Sequence, residues 1–200
     1  MKKWFYIFIV IVGLGIMGCG HWPWDRGEGP NVLVNPNFDE SPWDTGWTWD
    51  TTGSATGIAS WSACVVRDSG YSLPNCCKIS VVASVGGPSH EDGSASVEAM
   101  IYQMFNPIDG VEFKAHIKGS TVPIHPVTPE IQFCVNGQWE SVFSISLSIF
   151  EGDWAEISGK IDGNISGIKV YVKSEVSTDC SGKISGVDLY IDNIYVRRGS

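Results

Sequence analysis

The stretch PWDTGWTWD, residues 42–50, holds three tryptophans and two aspartates with no aliphatic side chain among them. Rings in such a setting either fill a core or stand in solvent as flat platforms. A flat exposed ring stacks on a flat apolar partner, such as the C–H face of a pyranose. Planar polar side chains beside it read hydroxyls, and ligand sites combine aromatic walls with a few placed polar groups in this way. The rings to consider are those near turns or on the outward side of alternating runs. Trp61 in ASWSAC and Trp139 in NGQWES lie near turns, and Tyr171 lies opposite Val170 and Val172 in KVYVK. Gln132 and His116 face away from the apolar residues of their runs, and Gln138 precedes Trp139. Trp61, Trp139 and Tyr171 are therefore candidates for stacking, and Gln132, His116 and Gln138 for hydrogen bonding. If their strands are neighbours, one outer face carries His116, Gln132 and Tyr171. The plainer reading of each is an ordinary surface residue, since tyrosine suits an exposed pleated strand.

Catalysis finds less support. Glycosidic cleavage needs two carboxylates about 5–10 Å apart across a cleft, and no pair of acids here is marked by context. The sequence has no GxSxG elbow, no HExxH and no P-loop. It reads as a chain that is not an enzyme.

The elements that must position these residues are strands. Val111, Phe113, Ala115 and Ile117 alternate with Glu112, Lys114, His116 and Lys118. Ile131, Phe133 and Val135 alternate with Gln132 and Cys134; Phe143, Ile145, Leu147 and Ile149 alternate with Ser144, Ser146 and Ser148. GIKVYVKS and VDLYIDNIYV continue the pattern. Period-two runs separated by Gly, Pro and Asn turns predict an all-β antiparallel sandwich with one core and two outward faces. The 23 glycines supply many turns. SASVEAMIYQMF, 94–105, is the one segment whose spacing also suits a helix, and strand is the expectation.

The ends of the chain point to export. MKKWFYIFIVIVGLGIMGCG opens with two lysines, an apolar run from Trp4 to Met17 and then Cys19. This is the layout of a signal peptide; the alternative is a short membrane anchor, since a span takes roughly 20 residues. IMGC, 16–19, resembles a bacterial lipobox, which implies cleavage after Gly18 and lipidation of Cys19. Residues 1–18 are then a lipoprotein signal peptide, 19–30 (with GHWPWDRGEGP) a flexible tether, and 31–198 the sandwich domain. A lipid anchor would hold the chain at a membrane, and the expected location is the cell surface or outer membrane. Removing Lys2 and Lys3 takes the formal charge from −9 to −11. Such an acidic domain lacks the cationic face that phosphate contacts need, which argues against nucleic acid as a partner. It suits an extracellular module that holds a divalent cation. Five cysteines remain besides Cys19, an odd number. In an oxidising compartment the pairings to expect are Cys64 with Cys76 or Cys77, and Cys134 with Cys180. Cys77 shares the alternation of Ile79 and Val81 and is a candidate for the buried spare thiol. No CxxC occurs and the histidines are scattered, which argues against a cysteine-rich metal cluster.

The order of landmarks carries a resemblance. NVLVNPNFDESPWDTGW, with Asn35, Phe38-Asp39 and Gly46-Trp47, resembles the opening of carbohydrate-binding modules with a galactose-binding-like β-sandwich, the group of families four, nine, sixteen and twenty-two. DSGYSLPNCCKISV resembles their Ser-Gly-x-x-Ser-Leu turn, and MIYQMFNPIDGVEFKAHIKG their Gln-containing strand, turn and long strand. GDWAEISGKI resembles a Gly-x-Trp strand start, and VDLYIDNIYV the closing strand. The match spans about residues 31–198; Cys76–Cys77 and the 119–130 loop depart from it. The resemblance implies a jelly-roll sandwich in which Trp47 and Trp154 are structural. It also implies a structural calcium between the first and last strands, held by Asp39 and Asp192 with the carbonyls near Asn37 and Tyr71. The function it implies is non-catalytic capture of poly- or oligosaccharide. A different class of function, a structural or adhesive envelope lipoprotein that binds a protein partner, would present a broad apolar patch instead.

Overall fold

The computed structural model describes residues 30–68, 70–71, 75–86, 92–121, 127–145, 153–177 and 184–199. The expected signal peptide, Cys19, most of the expected tether, Cys180 and the end of the 141–150 run lie outside the described residues. Among the described residues eight strands follow in order: β1 (Thr48–Gly57), β2 (Ala59–Asp68), β3 (Cys76–Val85), β4 (Gly93–Thr121), β5 (Glu130–Val135), β6 (Gln138–Ser144), β7 (Ala155–Ser177) and β8 (Ile184–Arg198). Their hydrogen-bonded order is β2-β3-β8-β4-β7-β5-β6, with β1 also on β4. Every pairing is antiparallel. The 94–105 segment is strand, as the alternation predicted.

β4, at 29 residues, and β7, at 23, are far longer than a single layer needs. Each serves two layers. The first part of β4 pairs with β1 and with the second part of β7. Register then slips between Met104 and Ile108 and again between Asp109 and Val111. Pro107 in this stretch has no N–H to give the ladder, and Gly110 takes φ +67°, a conformation that costs glycine little. Beyond it β4 pairs with β8 and with the first part of β7. One layer therefore contains β1, β4, β7, β5 and β6, the other β2, β3, β8 and the far parts of β4 and β7. β3 touches β7 without pairing to it, as facing layers do. The fold is the antiparallel β-sandwich that the alternation predicts.

The inward alternates form one apolar core. It includes Ile79 and Val81 of β3, Val97 and Ile101 of β4, Phe133 of β5, Val170 and Val172 of β7, and Leu189 and Ile191 of β8. Each such fully buried side chain contributes about 1.5–3 kcal/mol. Phe113 stands edge-on to Phe133, centroids 5.4 Å apart at 77°.

The N-terminal segment closes one end. Asn31 donates to the Ile194 carbonyl (2.9 Å) and accepts from Val196 N–H (3.0 Å). Trp47 is 6 % exposed, donates from its indole to the Asn35 carbonyl at 3.0 Å, and lies 5.3 Å from Phe38. It is buried, in keeping with the structural role that the resemblance implied. Trp43 is half-buried against Phe38, whereas Trp49 is exposed and donates to Asp44. The cluster at 42–50 thus divides between core and surface.

The expected disulfides are not formed. None of Cys64, Cys76, Cys77 and Cys134 is in a disulfide. Cys64 lies opposite Ser80 on β3, while Cys76 and Cys77 lie opposite Asp68 and Arg67. Four rows of strand at about 3.4 Å each separate Cys64 from Cys76, beyond the reach of a bridge. Cys77 is fully buried among the core residues, as its alternation with Ile79 and Val81 suggested, but with no bridge formed it is not the one spare thiol. Burial, with the charges of Asp192 and Asp68, pushes the Cys76 thiol up to about 12; burial pushes Cys77 up as well.

An ion pair links β4 and β8 on the outside of the second layer. Glu112 accepts from Arg197 Nε at 2.8 Å and from its terminal nitrogen, and meets Lys160 Nζ at 2.5 Å. The hydrogen bond from Lys160, then that from Arg197, holds the Glu112 carboxyl below its ordinary 4.5. Lys160 is 68 % exposed and screened by water, so Arg197, 9 % exposed, is the partner that matters more for stability. A carboxylate whose folded pKa is depressed contributes fully above its unfolded value and loses that contribution as pH falls through the folded one. Urea midpoints should therefore fall on acidification below about pH 4.5. Glu112→Gln should lower the midpoint at neutral pH and flatten that fall; an unchanged slope would show that other carboxylates govern it.

Candidate functional site

The outward alternates of β4, β7, β5 and β6 share one face, and register decides which of them meet. Tyr102 lies opposite Lys169, and Met100 opposite Tyr171. Tyr171 lies opposite Glu130, and Lys169 opposite Gln132. Cys134 lies opposite Trp139. The β5–β6 hairpin that carries Trp139 turns through Asn136 and Gly137, both at positive φ (52° and 82°), the Asn-Gly pair that a two-residue turn favours.

The Trp139 ring reaches from β6 as far as β7. A Cβ placed on Gly167 would stand 3.1 Å from its Cη2 atom. The ring can occupy that space because residue 167 has no side chain. Tyr102 meets it edge-on, with centroids 6.2 Å apart at 73°. Trp139 keeps 37 % of its surface exposed, while Cys134 opposite is buried.

Polar groups fill the spaces between the rings. Lys169 Nζ lies 4.5 Å from the centre of the Trp139 ring and 5.8 Å from that of Tyr171, within cation–π range. Burial lowers the Lys169 pKa, and the Glu130 charge opposes it. Burial and a hydrogen bond to Glu98 push the Tyr171 phenol well up, so it stays a neutral donor. Gln132 donates to Glu130 at 2.9 Å. Lys173 bridges Glu98 at 3.6 Å and Glu175 at 2.7 Å. Three rings, an amide, two lysines and three carboxylates thus stand on one outer face. They can stack on a flat C–H surface and exchange hydrogen bonds with hydroxyls.

This arrangement brings together Trp139, Tyr171 and Gln132 from the sequence candidates. Gln138 sits beside them in the same hairpin, but opposite Val135, so alternation turns it the other way. His116 is elsewhere. It belongs to the far part of β4, opposite Glu156 and Asp192 in the second layer. There it is 4 % exposed and stacked 4.1 Å under Tyr71. Burial lowers its pKa in spite of Glu156. The shared face of His116, Gln132 and Tyr171 fails because β4 changes layer between Tyr102 and His116. Trp61 is 39 % exposed, but its ring lies over Gly53 of β1, at the sandwich edge and apart from Trp139. Tyr102, Lys169, Glu98 and Glu130 were missed. The alternation of Met100, Tyr102 and Met104 with Ile101 and Gln103 was the available signal for Tyr102.

Of the expected cation ligands, Asp192 meets Tyr71, while Asp39 meets Asn75. Asp192 is fully buried and accepts Tyr71 N–H at 2.9 Å. Asp39 accepts from Asn75 Nδ2 at 3.2 Å. A Cβ on Gly70 would meet both the Asn75 carbonyl (2.3 Å) and Asp192 Oδ2 (2.8 Å), so Gly70 packs closely between Asn75 and Asp192. Asn37 is half-buried between Asn35 and Phe38, both at positive φ. Trp154 stands edge-on to Tyr71 at 5.7 Å. Among the described residues, no group of three or more His, Cys, Asp or Glu side chains is arranged to hold a metal.

No protein-family model and no curated protein matches the chain. Solved structures similar to it include carbohydrate-binding modules. One is TmCBM61 in complex with β-1,4-galactotriose, at 17 % identity over 86 % of this chain and 100 % of that one, with a TM-score of 0.45. A second is the CBM22-1 xylan-binding domain of Paenibacillus barcinonensis Xyn10C, at 14 % identity over 88 % and 100 %, with a TM-score of 0.42. A third is the family 11 module of Clostridium thermocellum in complex with a β-1,3-1,4-mixed-linked tetrasaccharide, at 17 % identity over 85 % and 95 %, with a TM-score of 0.42.

Proposed function

We propose that this chain is a non-catalytic carbohydrate-binding module that takes poly- or oligosaccharide on the outer face of β4, β7, β5 and β6. The observation that carries the reading is the convergence of Trp139, Tyr102 and Tyr171 with Gln132, Lys169 and Glu130 on a solvent-facing sheet. The rings supply stacking surface, and the polar side chains supply donors and acceptors for hydroxyls. The test is affinity electrophoresis of the full chain in mild detergent through gels containing β-galactan, xylan, mixed-linked β-glucan or bacterial polysaccharides. Retardation by one polymer supports the reading. Free migration in all of them, at concentrations that retard known modules, overturns it.

Display at the cell surface or outer membrane through a lipid on Cys19 is part of the same proposal and rests on the lipobox-like IMGC. Labelling with palmitate should mark the chain, and Cys19→Ser should abolish the label. We also propose a structural calcium at Asp39 and Asp192. Two carboxylates, with the backbone carbonyls near Asn37 and Tyr71 and the Asn75 amide oxygen, are the hard oxygen donors that this cation takes. Such an ion would join the first and last segments of the sandwich. A ligand that binds only the folded state raises its stability. Calcium should therefore raise the melting temperature and chelator should reverse the rise, while Asp192→Asn should show no response. An identical melting curve in calcium and chelator would remove the ion from the account.

A further inference from the structure

The face that carries Trp139 does not stop at Tyr102. Beyond it, along the direction that crosses the strands, lies an open groove of about 620 Å³, a size typical of ligand sites. Val32, Val34, Met104 and Phe105 give it apolar walls, and Gln103 and Asn106 add polar groups. Val34 and Met104 are half exposed, at 50 % and 52 %, large apolar surfaces left open to water.

The groove and the aromatic face meet at one residue. A Cβ on Gly167 would lie 2.7 Å from Met104 Sδ and 3.1 Å from the Trp139 ring. Met104, a wall of the groove, and Trp139 therefore border the same gap over β7. From β6 to β4 the face crosses three strand spacings of about 4.8 Å each, more than one pyranose ring covers, and the groove extends it further.

We infer that the groove is a further subsite, holding sugar units of the same chain that stacks on Trp139. The inference rests on the carbohydrate-binding reading and deepens it: the ligand is a linear glycan bound along its length. Apolar walls with few polar groups suit the C–H faces of successive units. Gln103 is already committed to the Val34 backbone and the Gly46 carbonyl, which leaves Asn106 as the side chain free to meet hydroxyls.

The experiment is isothermal titration calorimetry of the full chain in detergent with oligosaccharide ladders cut from β-galactan, xylan and mixed-linked β-glucan. In the wild type, affinity should climb with length past the units that the aromatic face alone can cover. Val34→Ala combined with Asn106→Ala alters only exposed side chains. It should leave the shortest bound oligosaccharide unaffected and weaken the long ones by about fivefold, the effect of losing a contributing contact. Trp139→Ala should weaken short and long alike. If affinity is flat with length, or the double variant weakens neither or both equally while Trp139→Ala removes binding, the groove is no subsite and the carbohydrate reading stands. If the wild type binds no ladder, both fall. Thermal melts of each variant, with Asn106→Ala alone as the milder change, separate lost contacts from lost fold.

Discussion

Replacing Trp139 with alanine should abolish retardation by whichever polysaccharide binds the wild type. Binding energy concentrates in a few aromatic anchors, and losing one costs about 2 kcal/mol or more, roughly 30-fold in affinity. Here one ring supplies the stacking surface, borders Tyr102 edge-on and faces the Lys169 ammonium, so its removal takes three interactions at once. The fold should survive, because exposed substitutions move stability by about 0.5 kcal/mol or less, and Trp139 is more than one-third exposed. Trp61→Ala is the informative contrast. Its ring is as exposed as that of Trp139 but lies over Gly53 at the other edge, so binding should persist. The reverse outcome, with Trp61→Ala inactive and Trp139→Ala active, would move the site to the β1–β2 edge.

The largest change in stability should come from Gln103→Ala. Gln103 is 4 % exposed. Its carbonyl accepts Val34 N–H at 2.7 Å, and its amide donates to the carbonyls of Val34 (3.0 Å) and Gly46 (2.9 Å). One side chain thus ties the N-terminal segment and the approach to β1 onto β4. Alanine leaves three backbone groups without those partners, and each buried polar group stranded in this way costs about 1–3 kcal/mol. Water can reach some of them through the adjoining groove, so the expected loss is about 3 kcal/mol in urea unfolding. Gln103→Glu should not rescue it: a carboxylate still accepts from Val34 N–H but faces two carbonyl oxygens with no donor. A loss below about 0.5 kcal/mol would show that the segment is held elsewhere, by Asn31 on β8.

Much of the architecture was legible because a strand turns successive side chains to opposite faces. Val111, Phe113, Ala115 and Ile117 are all buried, and so are Ile131, Phe133 and Val135. The same rule put Tyr171 and Gln132 on an outward face and Cys77 in the core. It could not reveal that β4 changes layers. Alternation continues on both sides of Asn106-Pro107 while the register slips there, so Tyr102 and His116 read alike in the chain and end on opposite sheets. Nor could it give the order of strands. Cys64 and Cys76 are near in sequence yet four ladder rows apart, and near neighbours in sequence are poor guides to bridging.

The sequence by itself determined the strands, their buried faces, the Asn-Gly hairpin and the absence of a recognisable catalytic motif. Each of these depends on local stereochemistry and on the spacing of apolar side chains. Only the tertiary structure decided which outward residues meet. Trp139, Tyr102, Lys169 and Tyr171 come from three strands separated by up to 69 positions. They are joined by the ladder of β4, β7, β5 and β6 and by a glycine that leaves room for one ring. Strand order and register follow from the packing of the whole core, and no short stretch of sequence encodes them.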